Sequence, residues 1–165
     1  IQEHRLHPAS FRDRLEFEKV NVLYNISDFC INTSYAEGFG LGTLEAMMSG
    51  TPIIAPKTGG LTRQVVDYRD GTENGVACDI AIQTLVGSQS VPYIYEDYAS
   101  NESYANAMMK LYSLNSKEKS KLSEKVYKYA HEEFGLQKTI DMWHETMIDT
   151  LQKFKKNKKW DIEEI

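Results

Sequence analysis

Cysteine is scarce: Cys30 and Cys78 are the only two in 165 residues, and neither belongs to a CxxC pair. A disulfide framework and a thiolate zinc pattern are therefore excluded as organising devices, and a reducing, cytoplasmic setting is expected. A basic excess is also missing, since 19 Lys and Arg stand against 24 Asp and Glu for a formal net charge of -5. A nucleic-acid partner is not expected, because a surface that follows phosphates needs that excess. No stretch approaches the roughly 20 apolar residues that cross a bilayer, and the opening IQEHRLHP lacks a signal peptide's apolar core. The expectation is a soluble chain. It opens on Ile1 with no helix cap or strand signal, which suggests a piece of something longer.

The hydrophobic fraction of 41% and the length fit one domain with a modest core. Residues 5 to 27 predict a short amphipathic helix, with Phe17, Val20, Leu23 and Tyr24 at helical spacing before Ser27 and Asp28. Asp28 to Thr33 is compact, apolar and β-branched, as in a buried strand. YAEGFGLG follows, with three glycines in eight residues, and then TLEAMM, rich in helix formers and closed by Ser49 and Gly50. Thr51 to Pro56 predicts a second strand, Gly59 and Gly60 a second turn, Arg63 to Asp67 a short helix, and Gly75 to Cys78 a third strand. Strands alternating with helices over short loops imply an α/β fold with a Rossmann-like parallel sheet and helices on both faces. Residues 79–97 hold Gly, Ser, Gln and Pro without a clear period and are expected to form a long loop or insertion. Three helical stripes follow, through Tyr104, Ala107, Met108, Leu111 and Tyr112, then Leu122, Val126, Tyr129 and Ala130, then Ile140, Trp143, Met147 and Leu151. All three are expected to pack, with the Tyr and Met positions in the core. Residues 156–165 are expected to fray, in a tail whose lysines number five within positions 153–159.

The stretch Glu37 to Glu45 carries the chemistry. A helix opening near Leu41 directs unpaired N–H groups and its positive dipole end toward the carboxyl edge of the sheet, where an anion is stabilised without a cationic side chain. Gly38, Gly40 and Gly42 let a ligand approach the backbone. Leu41, Leu44 and Met48 fall at i, i+3 and i+7 and are expected to face the sheet, turning Glu45 elsewhere, within reach of a ribose. Glu37 precedes the turn and projects over the crevice at the strand ends, so two carboxylates bracket one anion site.

The run NTSYAEGFGLGTLEAMMSGTPIIAPKTGGLTRQVVD resembles the signature of the retaining GT-B glycosyltransferases with a Glu, seven residues, Glu motif (glycosyltransferase family 4). The shared elements are Ser34, EGFG at Glu37 to Gly40, LEAM at Leu44 to Met47, GTP at Gly50 to Pro52, and the Gly59-Gly60 loop. The resemblance implies that residues 1–155 are part of a carboxyl-terminal donor-binding domain, with 136–155 a crossover helix to an amino-terminal acceptor domain outside this chain. It implies Glu37 beside the donor sugar as the catalytic residue. Donor contacts would come from Gly38, Phe39, Gly40, Leu41, Gly42 and Gly60, with Glu45 on the ribose. The donor would be a UDP- or GDP-linked sugar, with no metal and no further cofactor, and the acceptor a carbohydrate, a lipid-linked group or a protein. The sequence departs from the pattern at Thr33, Thr62 and Arg63, where Pro, Pro and Glu are usual. A cation at Arg63 cannot accept a hydroxyl proton as a carboxylate does.

Each feature has a plainer reading. Glu37 and Glu45 fit a loop carboxylate and a helix-dipole partner. Lys57 and Arg63 fit solvated cations better than phosphate ligands, and His4, His7, His131 and His144 share no spacing. The terminal lysines fit a solvated end better than a peripheral membrane contact. Two rivals to a transferase stand open: a donor-binding-only or degenerate subunit, and a GT-B epimerase or phosphorylase.

Overall fold

A computed structural model describes residues 16–156. Residues 5–15 of the expected amino-terminal helix, with His4, His7 and the tail beyond Lys156, lie outside the described residues. The chain divides after Ala130 into two compact units.

The first unit is built on a parallel sheet of order β1-β2-β3, from β1 (Cys30–Ile31), β2 (Ile53–Pro56) and β3 (Gly75–Cys78). Cys30 pairs with Ile53, and Ile53 with Gly75. Every residue of the central strand is buried, as expected of a parallel strand covered on both faces. Side chains alternate across it. Ile54, Val76 and Cys78 pack with Ala107 and Leu111 of α4 (Asn101–Tyr112) on one face. Ile53 and Ala55 turn to the other, where α2 (Leu41–Met48) and α3 (Leu61–Val65) lie against β2 and bury Ala46, Met47, Leu61 and Val65. Helices on both faces of a parallel sheet are thus the architecture expected. α1 (Phe17–Asn25) packs on α2 and is fixed by the Thr51 hydroxyl donating to Tyr24 O at 2.8 Å. α5 (Ser116–Phe134) starts in a reciprocal capping box: Asn115 Oδ1 accepts from the Glu118 N–H at 3.0 Å, and Glu118 Oε2 from the Asn115 N–H at 2.9 Å. It buries Val126, Tyr129 and Ala130.

The segment 79–97, expected as a loop or insertion, is a hairpin. β4 (Ile80–Ser88) pairs antiparallel with β5 (Val91–Ala99), with irregularities between Ile80 and Ile82 and between Val86 and Ser88. Gln89 and Ser90 make the turn, a pair without the Asn-Gly or Asp-Gly signal of hairpins, and Pro92 sits in the strand itself. The β-branched alternation Ile82, Thr84, Val86 was the signal available.

The second unit holds the end of α5 and α6 (Leu136–Lys156). The stripe expected to pack here is exposed: Ile140, Trp143, Met147 and Leu151 are all solvent-accessible. Within this unit the only other described element is the last turn of α5, too little to cover a helix of 21 residues. Helical periodicity reveals an apolar face, not what covers it. Met108 and Tyr112 are likewise exposed rather than core, whereas Tyr129 is buried. Among the described residues no helix is long and apolar enough to cross a membrane.

Candidate functional site

The loop leaving β1 runs to Gly40, which caps α2 at φ 89°, in the left-handed region. A Cβ there would also meet Leu61 Cδ2 at 2.6 Å and Thr43 Oγ1 at 2.7 Å, so glycine is required twice over. The helix therefore begins at Leu41, where the glycine pattern placed it.

Gln64, on α3 and fully buried, holds this turn. Its side-chain amide donates to Phe39 O at 2.6 Å and to Gly40 O at 3.2 Å. The Thr43 hydroxyl donates to Gly40 O at 2.8 Å and lies 2.5 Å from Gln64 Oε1. Because peptide units are planar and, here, all trans, a carbonyl pulled inward sends the following N–H outward. Carbonyls 39 and 40 face Gln64, so the N–H groups of Gly40 and Leu41 face away from it. They join the unpaired donors of the first helical turn. Sequence reasoning missed Gln64 and Thr43, since a buried polar side chain is recognisable only from its partners.

The turn after β2 closes one side. Gly60 N–H donates to Glu37 O at 3.1 Å, and a Cβ on Gly60 would lie 2.6 Å from Phe39 Cα. Gly59, at φ 45°, leaves no room for a Cβ either, because one would collide with Glu37 O. Gly38, by contrast, has nothing within 4 Å of its missing Cβ, and Gly42 only the Tyr24 hydroxyl at 3.7 Å. Glu37 itself is half-buried, its main chain held on the Gly59–Gly60 side, while Phe39 is 44% exposed.

Glu45 stands on the opposite flank, toward α1, where its Oε2 accepts a hydrogen bond from the Tyr24 hydroxyl at 3.2 Å. Burial, and then the charge on Glu45, push the Tyr24 phenol up to about 12. A depression of about 320 Å³ lies between the two helices, lined by Val20, Asn21, Tyr24, Leu41, Leu44 and Glu45 among others. Glu37 is not part of that lining. One expectation is corrected here: Leu41, Leu44 and Met48 do not face the sheet. Leu41 is 68% exposed, and the helix buries Thr43, Ala46 and Met47 instead. Thr43 takes a sheet-side position because its hydroxyl is satisfied there, which leaves the larger apolar side chains for the groove against α1.

The neighbouring cations have partners of their own. Lys57 Nζ pairs with Asp79 Oδ1 at 2.7 Å, which raises the lysine's pKa, and the Arg63 guanidinium lies 4.6 Å from the Tyr68 ring centre. His131 and His144 are exposed.

The chain is 45% identical over 49 residues to D-inositol 3-phosphate glycosyltransferase 2 of Catenulispora acidiphila, a match covering 30% of this chain and 12% of that protein. It is 40% identical over 65 residues to D-inositol 3-phosphate glycosyltransferase of Corynebacterium diphtheriae, covering 39% and 15%. It is 42% identical over 53 residues to a trehalose synthase of Pyrococcus horikoshii, covering 32% and 13%. The matched segment thus spans only about an eighth of these relatives' length. Among solved structures, the catalytic domain of starch synthase IV from Arabidopsis thaliana, bound to ADP and acarbose, superposes with a TM-score of 0.52 at 24% identity, over 76% of this chain and 24% of that one. It shares the fold. The sequence profile of the Glycosyl transferases group 1 family matches residues 9–133, three-quarters of the chain, and on that match, with the GT-B fold beneath it, the chain belongs to this glycosyltransferase family.

Proposed function

We propose that this chain is part of the donor-binding domain of a retaining enzyme that moves a hexosyl group from a UDP- or GDP-linked sugar to an acceptor, without a metal ion. The observation that carries the reading is the orientation of the Gly40 and Leu41 amides. Gln64 takes their preceding carbonyls, which leaves donors fixed at the amino end of α2, where a departing diphosphate gains charge. Glu37 lies before those amides and stabilises the sugar as its bond to the diphosphate breaks. Gly38 and Gly42 permit close approach. Glu45, beside a depression of ligand size, receives the ribose hydroxyls. Gly60 holds the Glu37 side of the site in place. An amino-terminal domain supplies the acceptor site, whether for a carbohydrate, a lipid-linked group or a protein, and the exposed face of α6 is suited to cover it. The fragment alone is therefore inactive. A cytoplasmic setting accords with this reading.

The test is kinetic, on the full-length protein with a panel of UDP- and GDP-sugars. Glu37→Ala is expected to lower kcat roughly a hundredfold with donor affinity little changed, the signature of an interaction made in the transition state. Glu45→Ala is expected to weaken donor binding about tenfold, with a smaller effect on kcat. Donor binding with no transfer to any acceptor and no release of nucleoside diphosphate would instead establish a binding subunit.

A further inference from the structure

We infer that the β4–β5 hairpin positions the loop that carries Glu37, and that Asp97 is the residue through which it does so. The inference rests on the reading of Glu37 as the residue beside the donor sugar.

Polar contacts of the hairpin gather at its root. The Asp97 N–H donates to Tyr35 O at 2.7 Å. Its two carboxylate oxygens are both engaged, Oδ2 by the Thr58 hydroxyl at 2.7 Å and Oδ1 by the Gln83 amide at 2.7 Å. These bonds favour the ionised, acceptor-only form of Asp97 and lower its pKa. The neighbouring Tyr98 ring stacks on Tyr35 with centroids 4.2 Å apart. Thr58 is buried in the loop after β2, and Tyr35 belongs to the loop after β1, so one aspartate binds together the two loops that meet at the site.

The consequence for Glu37 follows from the short distance along the chain. Only Ala36 separates Tyr35 from Glu37. Glu37 O is held from the α3 side by Gly60, and Tyr35 from the hairpin side by Asp97 and Tyr98. The loop has no regular hydrogen bonds of its own between these anchors, so its conformation depends on both. An isolated two-stranded hairpin is marginal, and the run Ile80 to Tyr95 carries no charge and exposes Leu85, Tyr93 and Tyr95. Its anchoring to the sheet lies where it touches the donor loop.

Asp97→Ala, Thr58→Val, the double variant and Asp97→Asn, made in the full-length protein, separate positioning from mere support. Each of the first two should lower kcat about tenfold while the donor KM moves less than about twofold, since a misplaced group costs rate more than binding. The double variant should be slowed by less than the two single effects combined, because the Thr58–Asp97 bond is shared, while the Gln83 bond and the Thr58 contact with Tyr35 O at 3.3 Å belong to one variant each. Asp97→Asn should recover most of the rate, as its remaining oxygen still accepts from Thr58 while the Gln83 amide turns over. Amide exchange should quicken at residues 60 and 97, whose N–H groups donate to Glu37 O and Tyr35 O, in Asp97→Ala and stay unchanged in β2 and β3, and Tyr95→Ser, beyond the root, should alter neither exchange nor rate. Unchanged exchange at residues 60 and 97 in Asp97→Ala overturns the inference, as does a kcat loss that only tracks a global fall in melting temperature. If the wild type transfers no sugar, the functional reading fails, and the exchange at residues 60 and 97 still decides whether Asp97 holds the loop.

Discussion

Alanine at Gly60 and alanine at Gly38 should behave in opposite ways, and the difference can be worked out from the structure. Gly60 has φ -63°, a helical value that alanine adopts freely. Backbone freedom alone would make Gly60→Ala stabilising by about 0.4–1 kcal/mol. The new methyl, however, would lie 2.6 Å from Phe39 Cα and 2.7 Å from both Gly38 O and Phe39 O, all of them backbone atoms that cannot rotate aside. Reaching ordinary contact at 3.4 Å requires the loop to withdraw by about 0.8 Å. That movement stretches the Gly60 N–H bond to Glu37 O and works against the Gln64 contacts to Phe39 O and Gly40 O. Overpacking of this kind costs about 1–3 kcal/mol. The net expectation is a loss of about 1–2 kcal/mol, or roughly 2–8 °C in melting temperature for a chain of this size, with donor binding weakened because the amides move. Gly38 meets nothing within 4 Å and has no positive φ, so Gly38→Ala should fold as well as wild type or slightly better. Any loss of nucleoside diphosphate binding in that variant then reports a ligand, not the fold. Urea unfolding together with calorimetric binding of UDP and GDP measures both quantities. A Gly60→Ala protein as stable as wild type would refute the close approach of the two loops.

Gln64→Leu conserves volume but removes the buried amide that donates to Phe39 O and Gly40 O, and should cost about 1–3 kcal/mol in denaturant unfolding and weaken nucleoside diphosphate binding in parallel. The Tyr24 phenol is raised to about 12, so its contribution to stability is complete below pH 10 and disappears as pH climbs from 10 through 12. Tyr24→Phe should therefore flatten the alkaline limb of the stability curve, as read from unfolding at each pH and from ultraviolet titration of the phenolates. Asp67, 3% exposed, has its pKa lowered chiefly by hydrogen bonds from Arg69, so its stabilisation is present above the ordinary carboxylate range and is lost as pH falls through the lowered value. With Arg69 itself 41% exposed, Arg69→Ala should cost only about 1–2 kcal/mol at neutral pH, and the deficit should shrink in acid. A deficit in urea unfolding that stays constant down to pH 2 would show the pair to be electrostatically idle.

The backbone frame of the candidate site could be read from residue order because local chemistry determines it. Three glycines followed by strong helix formers admit little but a tight turn and a helix, and α2 begins and ends where that pattern predicts. β2 and β3 are apolar runs bounded by turn residues and were equally legible. What escaped depends on partners distant in sequence. Which face of α2 meets the sheet is decided by Thr43, whose hydroxyl becomes acceptable in the interior only through Gly40 O and Gln64. The hairpin escaped because its turn lacks glycine or asparagine at the centre, and because its strands expose most of both faces, so no single apolar face stood out. The stripe on α6 was correctly seen as apolar, and its exposure could not be seen at all.

The proposed donor site would place an anion among acidic neighbours. Glu37 and Glu45 approach the amino end of α2 from different flanks, one through its main chain beside Gly60 and the other toward Tyr24, and neither has its charge neutralised by the nearby Lys57, which is turned to Asp79. Two carboxylates beside a diphosphate would repel it if the site depended on net charge. Backbone amides held by a buried glutamine would act instead as directed dipoles: in the proposed site they would bind oxygen at hydrogen-bond distance, where their attraction is steep, while the carboxylates would act farther away, through solvent that screens them. The Lys57–Asp79 pair is exposed on both sides, so it is worth little and separates at little cost if a phosphate competes for the lysine. On the proposed function, specificity for a sugar nucleotide over inorganic phosphate would come from geometry, since only a ligand with hydroxyls on both sides of its phosphates would give each glutamate a donor to accept from.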